Sequence, residues 1–220
     1  MDMEALSVTL RLAAVTTLLL LAIAIPLAWW IAHGRSRTRA AVQMLTLLPL
    51  VLPPTVLGFY LLVWLGPSTL AGRVLIRLLG HPLAFSFSGL VVGSVLYSLP
   101  FAVQPLVTGF SAVPLAWLET AATLGAGPWQ RFVRVVLPSS RNSLLAAAAL
   151  VFAHTVGEFG VVLMIGGNIP GSTRTLSLSV YDQVQGFDYA AANRTALLLI
   201  ALSLCGLAAL YATLRRRPLA

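Results

Sequence analysis

Four stretches of this chain carry no Asp, Glu, Lys or Arg: Leu12 to Ala32, Ala40 to Gly72, Pro82 to Leu118 and Thr195 to Leu214. Each reaches the roughly 20 residues that a helix needs to cross a ~30 Å hydrocarbon layer. With 59% hydrophobic and 9% charged residues, and a mean hydropathy of +0.92, the 220 residues have too little polar surface for a water-soluble domain. The expected fold is all-α: a single polytopic transmembrane domain over 1–220. About five spans are predicted, near 9–32, 40–65, 88–110, 143–166 and 195–214.

The start, MDMEALSVTLRLAAVTTLLLLAIAIPLAWW, places Asp2 and Glu4 before its first arginine, and its apolar run exceeds the h-region of a signal peptide. It is expected to stay as a span. The one cysteine, Cys205, lies in the last apolar run, so neither an intramolecular disulfide nor a cysteine metal site is available.

All fourteen basic residues are arginine, and the formal net charge is +8. In a soluble chain that charge would suggest nucleic acid, but here it sits in short loops beside spans and reads as membrane orientation. Arg35, Arg37, Arg39, Arg131, Arg134, Arg141, Arg215, Arg216 and Arg217 fall on one side of the five spans. Arg11, Arg73, Arg77, Arg174 and Arg194 fall on the other, together with Asp2, Glu4, Asp182 and Asp188. The positive-inside rule then puts the N-terminus outside and the C-terminus in the cytoplasm.

The second span, LTLLPLVLPPTVLGFYLL, holds Pro49, Pro53, Pro54 and Gly58. Each proline removes a donor and crowds the preceding turn, so the helix should be kinked or locally unwound. Such backbone is tolerated at membrane depth where it is packed in protein or lines a wet cavity. The third span is milder, with Pro100, Gln104 and Pro105.

In the fourth span Glu158 is the only acidic residue inside any apolar run. Such a group is costly unless paired or hydrated, which makes it a functional candidate. His154, one turn earlier, is positioned to share a hydrogen bond with it. At ~1.5 Å per residue from Ser143, Glu158 lies roughly 22 Å up, at the height of an outer gate. A packing role, satisfying backbone groups at a helix or subunit contact, is the alternative.

Between the third and fourth spans, VPLAWLETAATLGAG supports a short helix after Pro114, ended by Gly125 and Gly127. Pro128 suits the first turn of a second helix. There Trp129, Phe132, Val133, Val136 and Leu137 share a face, Gln130, Arg131 and Arg134 the other, and Pro138 is expected to end it. The product is an amphipathic hairpin too short and polar to span. By periodicity alone it either lies under the headgroups or docks a partner.

Its spelling is more specific. Glu119, Ala121 and Gly125, followed by Val135, Leu137 and Pro138, match the EAA signature with its closing I-x-L-P. Thr120 stands where the signature has its middle alanine, and Val135 where it has isoleucine. The loop resembles the coupling loop of permease subunits of bacterial ATP-binding-cassette importers. More widely, LPLVLPPTVLGFYLL, GEFGVVLMIGGNIPGSTRTLSLSVYDQVQ and FDYAAAN resemble the molybdate permease family, whose nearest relatives are the sulfate permeases.

That resemblance implies transport of molybdate and tungstate across the bacterial inner membrane, with sulfate or another oxyanion as the alternative. It implies a homodimer of this subunit, two cytoplasmic ATPase subunits and an extracytoplasmic oxyanion-binding protein. ATP and Mg would be used by the partner ATPase, since this chain has no phosphate-cradling G-x-x-x-x-G-K-[ST] and needs no cofactor of its own. Glu119, Ala121, Gly125, Leu137 and Pro138 would couple to the ATPase. Pro53, Pro54, Thr55, Glu158, Phe159 and Gly160 would form the pathway or gate, with Glu158 organising it rather than holding a dianion, because like charges repel. Asn168, Pro170 and Arg174 would meet the binding protein, an ordinary solvated loop being the alternative. An intramembrane enzyme using His33, His81, His154 and Glu158 finds no metal spacing such as H-E-x-x-H. A channel or secondary carrier needs no signature loop, and no clear inverted repeat is seen.

Overall fold

The computed structural model describes residues 2–34 and 36–215, with side chains through 208. Arg35, Arg216 and Arg217 of the charge count lie outside the described residues. Among the described residues the chain is helical, without strands. The first half comprises α1 (Met3–Ala32), α2 (Arg37–Val51), α3 (Pro54–Trp64), α4 (Leu70–Leu79) and α5 (Phe87–Ser111). There follow α6 (Leu115–Thr123), α7 (Pro128–Arg131), a π turn (Phe132–Val136), α8 (Leu137–Ser139), α9 (Arg141–Val156), α10 (Gly160–Gly166), α11 (Leu176–Gln185) and α12 (Tyr189–Arg215).

α1, α5 and α9 pack together as the centre of the bundle. Lipid tails are as apolar as leucine, so burial alone does not drive such helices together; close van der Waals packing does, and small residues permit it. The buried side of α1 carries Ala5, Thr9, Ala13, Thr16, Ala24 and Ala28, and that of α5 carries Gly93, Ser94, Ser98 and Ala102. Thr9 and Thr17 donate their hydroxyls back to the carbonyls of Ala5 (2.8 Å) and Ala13 (2.7 Å), so these hydroxyls find their partners within α1.

The expected kink of the second span is a turn of 109° between α2 and α3. Pro53 and Pro54 withhold two consecutive donors, and a residue before proline is pushed to extended backbone: Leu52 and Pro53 both have ψ of 134°. Pro54 then starts α3, where its missing N–H is harmless. By contrast α5 runs unbroken through Pro100 and Pro105. The fourth span departs from the expected continuous helix over 143–166. α9 stops at Val156, and α10 resumes only at Gly160. The Glu158 carbonyl, released from the helical ladder, accepts the Ser177 hydroxyl instead.

One element was not anticipated. α4 occupies the loop that carries Arg73 and Arg77; Thr69 caps it through the Gly72 N–H at 3.0 Å, and Gly80 ends it at φ 77°. Leu70, Val74 and Leu78 form its exposed apolar face.

The two ends of the bundle are distinct. At one, Asp2 caps α1 (Ala5 N–H, 3.0 Å) and accepts the Ser179 hydroxyl (3.1 Å), while Thr9 Oγ1 accepts the Leu176 N–H (2.8 Å). At the other, Trp29 meets Phe110 and Phe132 with ring centroids 6.3 and 4.9 Å apart. The N-terminus and the segment before α11 therefore share an end opposite the 115–139 hairpin.

A Cβ at Gly109 would overlap the Ser143 side chain where α5 crosses α9, and the Gly109 carbonyl accepts the Ser140 hydroxyl at 3.1 Å. Gly109→Leu is expected to separate these helices at a cost of about 1–3 kcal/mol. A lowered melting temperature of the detergent-purified protein is the expected readout; an unchanged one contradicts this packing.

Candidate functional site

The turn at Pro53 and the break after Val156 face one another. Between them lies an open cleft of about 520 Å³, lined by Pro54, Thr55, Tyr97, Ala153, His154, Gly157, Glu158, Phe159 and Gly160. α3 and α10 close against each other through glycines. A Cβ at Gly160 would come within 2.7 Å of Pro54 Cβ, and one at Gly58 within 2.7 Å of Met164 Cβ. Five of the six residues expected at the pathway, Pro54, Thr55, Glu158, Phe159 and Gly160, thus line one cleft, while Pro53 caps α3 beside it.

Glu158 is 3% exposed, and neither carboxyl oxygen has a hydrogen-bond partner among the described residues. The Ser94 hydroxyl lies beside it without completing a hydrogen bond. The expected bond between His154 and Glu158 is not made. Because α9 ends at Val156, Glu158 leaves the helical register, and His154 Nδ1 instead meets Ser98 Oγ at 2.9 Å. Ser94, Tyr97 and Ser98 were not singled out in the sequence, although they recur at helical spacing on one side of an apolar run. Among the described residues no three His, Cys, Asp or Glu side chains are placed to hold a metal ion.

At the opposite end, the hairpin has a defined local cause. The Ala126 N–H reaches the Ala121 carbonyl (3.0 Å) and the Gly125 N–H the Ala122 carbonyl (2.9 Å), with Gly125 at φ 84°. This is a Schellman motif, which favours glycine at the left-handed position. It accounts for the spacing of Ala121 and Gly125. Pro128 opens α7, and Gln130 Oε1 accepts the Gly127 N–H at 3.1 Å. Contrary to expectation, Pro138 does not end the helix, which continues to Ser139 before bending 72° into α9. The π turn accommodates it: the Leu137 N–H bonds back to the Phe132 carbonyl, so the ladder shifts just before the residue that lacks a donor.

Leu118, Phe132 and Val136 bury the hairpin against the bundle. Leu115, Trp117, Leu124 and Trp129 remain exposed, as does Glu119. Of the expected apolar face, Phe132 and Val136 pack into the bundle while Trp129 and Val133 point outward, at 72% and 39% exposure. A smaller cavity of about 260 Å³ separates α1 from the hairpin, lined by Trp29, His33, Leu115, Leu118, Glu119, Pro128 and Arg131. Burial lowers the His33 imidazole from its ordinary value; the Trp29 carbonyl opposes that shift and Arg39 adds to it.

The family described as "Binding-protein-dependent transport system inner membrane component" matches residues 24–217. The chain belongs to this family. It is an inner membrane component, and its named relatives are transport permeases. It is 53% identical over 215 residues to the molybdenum transport system permease protein ModB of Azotobacter vinelandii, covering 97% of this chain and 95% of that one. It is 34% identical over 178 residues to the sulfate transport system permease protein CysT of Escherichia coli, covering 81% of this chain and 64% of that one. The fold matches a chain of a bacterial alginate ABC transporter in complex with its alginate pentasaccharide-bound periplasmic protein, at TM-score 0.79 and 20% identity, over 97% and 78% of the two chains.

Of the remaining residues singled out in this transport component, Asn168 and Arg174 are tied together. Asn168 Nδ2 donates to both Asp182 oxygens (2.8 and 2.9 Å), Arg174 Nε donates to Asn168 Oδ1 (3.1 Å), and Arg174 pairs with Asp182 at 3.4 Å. Pro170 is exposed nearby. Asn168 also holds φ at 54°, a left-handed conformation that asparagine tolerates better than most residues. Asn168→Ala is expected to destabilise the 167–182 segment by about 1–3 kcal/mol. Faster proteolysis there, with Pro170→Ala unchanged, is the expected result; equal rates for both contradict a structural role for the triad.

Proposed function

We propose that this chain is the permease subunit of an ATP-binding-cassette importer for molybdate and tungstate, working as a homodimer with two cytoplasmic ATPase subunits and an external oxyanion-binding protein. The observation that carries the substrate is the 53% identity, over nearly both full lengths, to a molybdenum transport permease. The family's description and the periplasmic protein bound by the structurally similar alginate transporter support this kind of partner. Sulfate is the second reading, favoured by the likeness to CysT.

In this reading the chain crosses the membrane five times, with its N-terminus outside. Arg37, Arg39, Arg131, Arg134 and Arg141 cluster toward the hairpin end, while Asp2, Glu4 and Asp182 mark the other. Excess arginine marks the cytoplasmic side. The hairpin, with Glu119, Ala121, Gly125, Leu137 and Pro138, meets the ATPase there, its exposed Trp117, Leu124 and Trp129 supplying apolar contact. ATP and Mg act in that partner, and this chain needs no cofactor. The pathway runs past Pro53, Pro54, Thr55, Phe159 and Gly160, with Glu158 organising the gate. Asn168, Pro170 and Arg174 face the binding protein, the triad with Asp182 holding their loop in shape.

Proteoliposomes containing this permease, its ATPase and its binding protein are expected to import labelled molybdate on ATP addition, with tungstate competing better than sulfate. Stronger competition by sulfate favours the second reading. Gly125→Val, which forces a branched residue to φ 84°, is expected to abolish binding-protein-stimulated ATP hydrolysis while membrane insertion persists. Unchanged coupling contradicts the role of the hairpin. For orientation, Gln130→Cys in a Cys205→Ser background is expected to resist impermeant thiol reagents added to intact cells, and labelling from outside overturns the topology.

A further inference from the structure

The cleft contains hydrogen-bonding groups that neither the gate residues nor the packing uses. Phe101 stacks on the His154 ring with centroids 4.2 Å apart, Tyr97 lies against it at 4.9 Å, and Ser98 Oγ meets Nδ1 at 2.9 Å. Ser98 is in turn 3.3 Å from Thr155 Oγ1. The ring is thus fixed in place and orientation. Its other nitrogen, Nε2, has no hydrogen-bond partner among the described residues and is not sealed from solvent, and His154 lines the cleft. The Tyr97 hydroxyl likewise has no hydrogen-bond partner among the described residues, and Tyr97 lines the same cleft.

We propose that His154 Nε2, seconded by the Tyr97 hydroxyl, is the hydrogen-bond donor that receives the oxyanion in transit, with Ser98 and Thr155 setting the imidazole tautomer. This rests on the oxyanion reading above. A fully deprotonated tetrahedral oxyanion presents only acceptor oxygens, so a route that accommodates it must present donors. Hydrogen bonds to an ionised acceptor are about twice as strong as neutral ones. When Thr155 donates to Ser98 and Ser98 donates to Nδ1, the remaining imidazole proton sits on Nε2 of a ring that lines the cleft. An anion arriving there selects that tautomer.

The neighbouring Glu158 does not compete for this nitrogen, since neither of its oxygens bonds to His154. A neutral donor opposite a carboxyl group also suits a passage, where an ion must bind well enough to enter and weakly enough to leave. Packing alone would explain the aromatic stack but not a ring nitrogen left without a partner among the described residues on a cleft-lining side chain. The acceptor chemistry is common to molybdate, tungstate and sulfate, so His154 serves oxyanions as a class while choice among them lies elsewhere.

The test uses the complete transporter in proteoliposomes, with labelled molybdate and labelled sulfate run in parallel and binding-protein-stimulated ATP hydrolysis read on the same vesicles. His154→Phe keeps an aromatic ring and removes the donor; it is expected to lower oxyanion uptake on the order of tenfold while hydrolysis stays near wild type. His154→Gln, which restores a donor, is expected to recover most of that loss, and Ser98→Ala to fall between. Wild-type uptake in His154→Phe overturns the proposal. So does uptake in His154→Gln as low as in His154→Phe, or a parallel loss of hydrolysis in both, since either marks a shape or assembly effect. Wild-type vesicles that import neither oxyanion overturn the oxyanion reading itself, and this inference with it.

Discussion

A helix interrupted at membrane depth must find new partners for the backbone groups it releases, because lipid offers none. This chain interrupts two helices, at Leu52–Pro53 and at Gly157–Phe159, and compensates both within the protein. The Pro53 carbonyl accepts the N–H groups of Val56 and Leu57 at 3.0 and 3.2 Å, and the Glu158 carbonyl accepts the Ser177 hydroxyl. The interruptions meet face to face, held close by Gly58 and Gly160. Their shared cleft is the consequence: it exists because neither helix continues straight through it.

α9 links the hairpin directly to the cleft. α9 begins at the 72° bend that follows the hairpin and ends at His154, Thr155 and Val156 beside the cleft. The hairpin is anchored through Phe132 and Val136 in the same core as Ala147 and Val151 of α9. In the proposed transporter, a displacement of the exposed hairpin by the ATPase would be carried along α9 to the cleft wall. The π turn matters here, because it lets the helix pass Pro138 with its ladder shifted rather than broken.

Much of this was legible in the residues. Long uncharged runs specify spans because lipid excludes charge, and consecutive prolines specify a break because they remove donors. Gly125 specifies a left-handed turn, and the Ala121-to-Gly125 spacing is that of a Schellman motif. The placement of Pro54, Thr55 and Glu158 on one cleft depended on treating irregular backbone and a buried carboxylate as marks of a single site. What escaped was tertiary. The stop at Val156 depends on Ser177 and on the fit of Gly160 against Pro54, partners distant in sequence, so a continuous helix was expected and His154 was paired with Glu158 instead of Ser98. The outward turn of Trp129 depends on how the hairpin seats on Trp29 and Phe110, which periodicity does not encode.

In the proposed transporter the cleft between the two broken helices opens and closes under the control of the hairpin end. The most direct measurement is the reactivity of a single cysteine, Thr55→Cys in a Cys205→Ser background, toward an impermeant thiol reagent on the outer side of the assembled transporter. Comparing the nucleotide-free state with the vanadate-trapped state, reactivity is expected to rise on trapping. Equal reactivity in both states contradicts a passage gated at these two breaks.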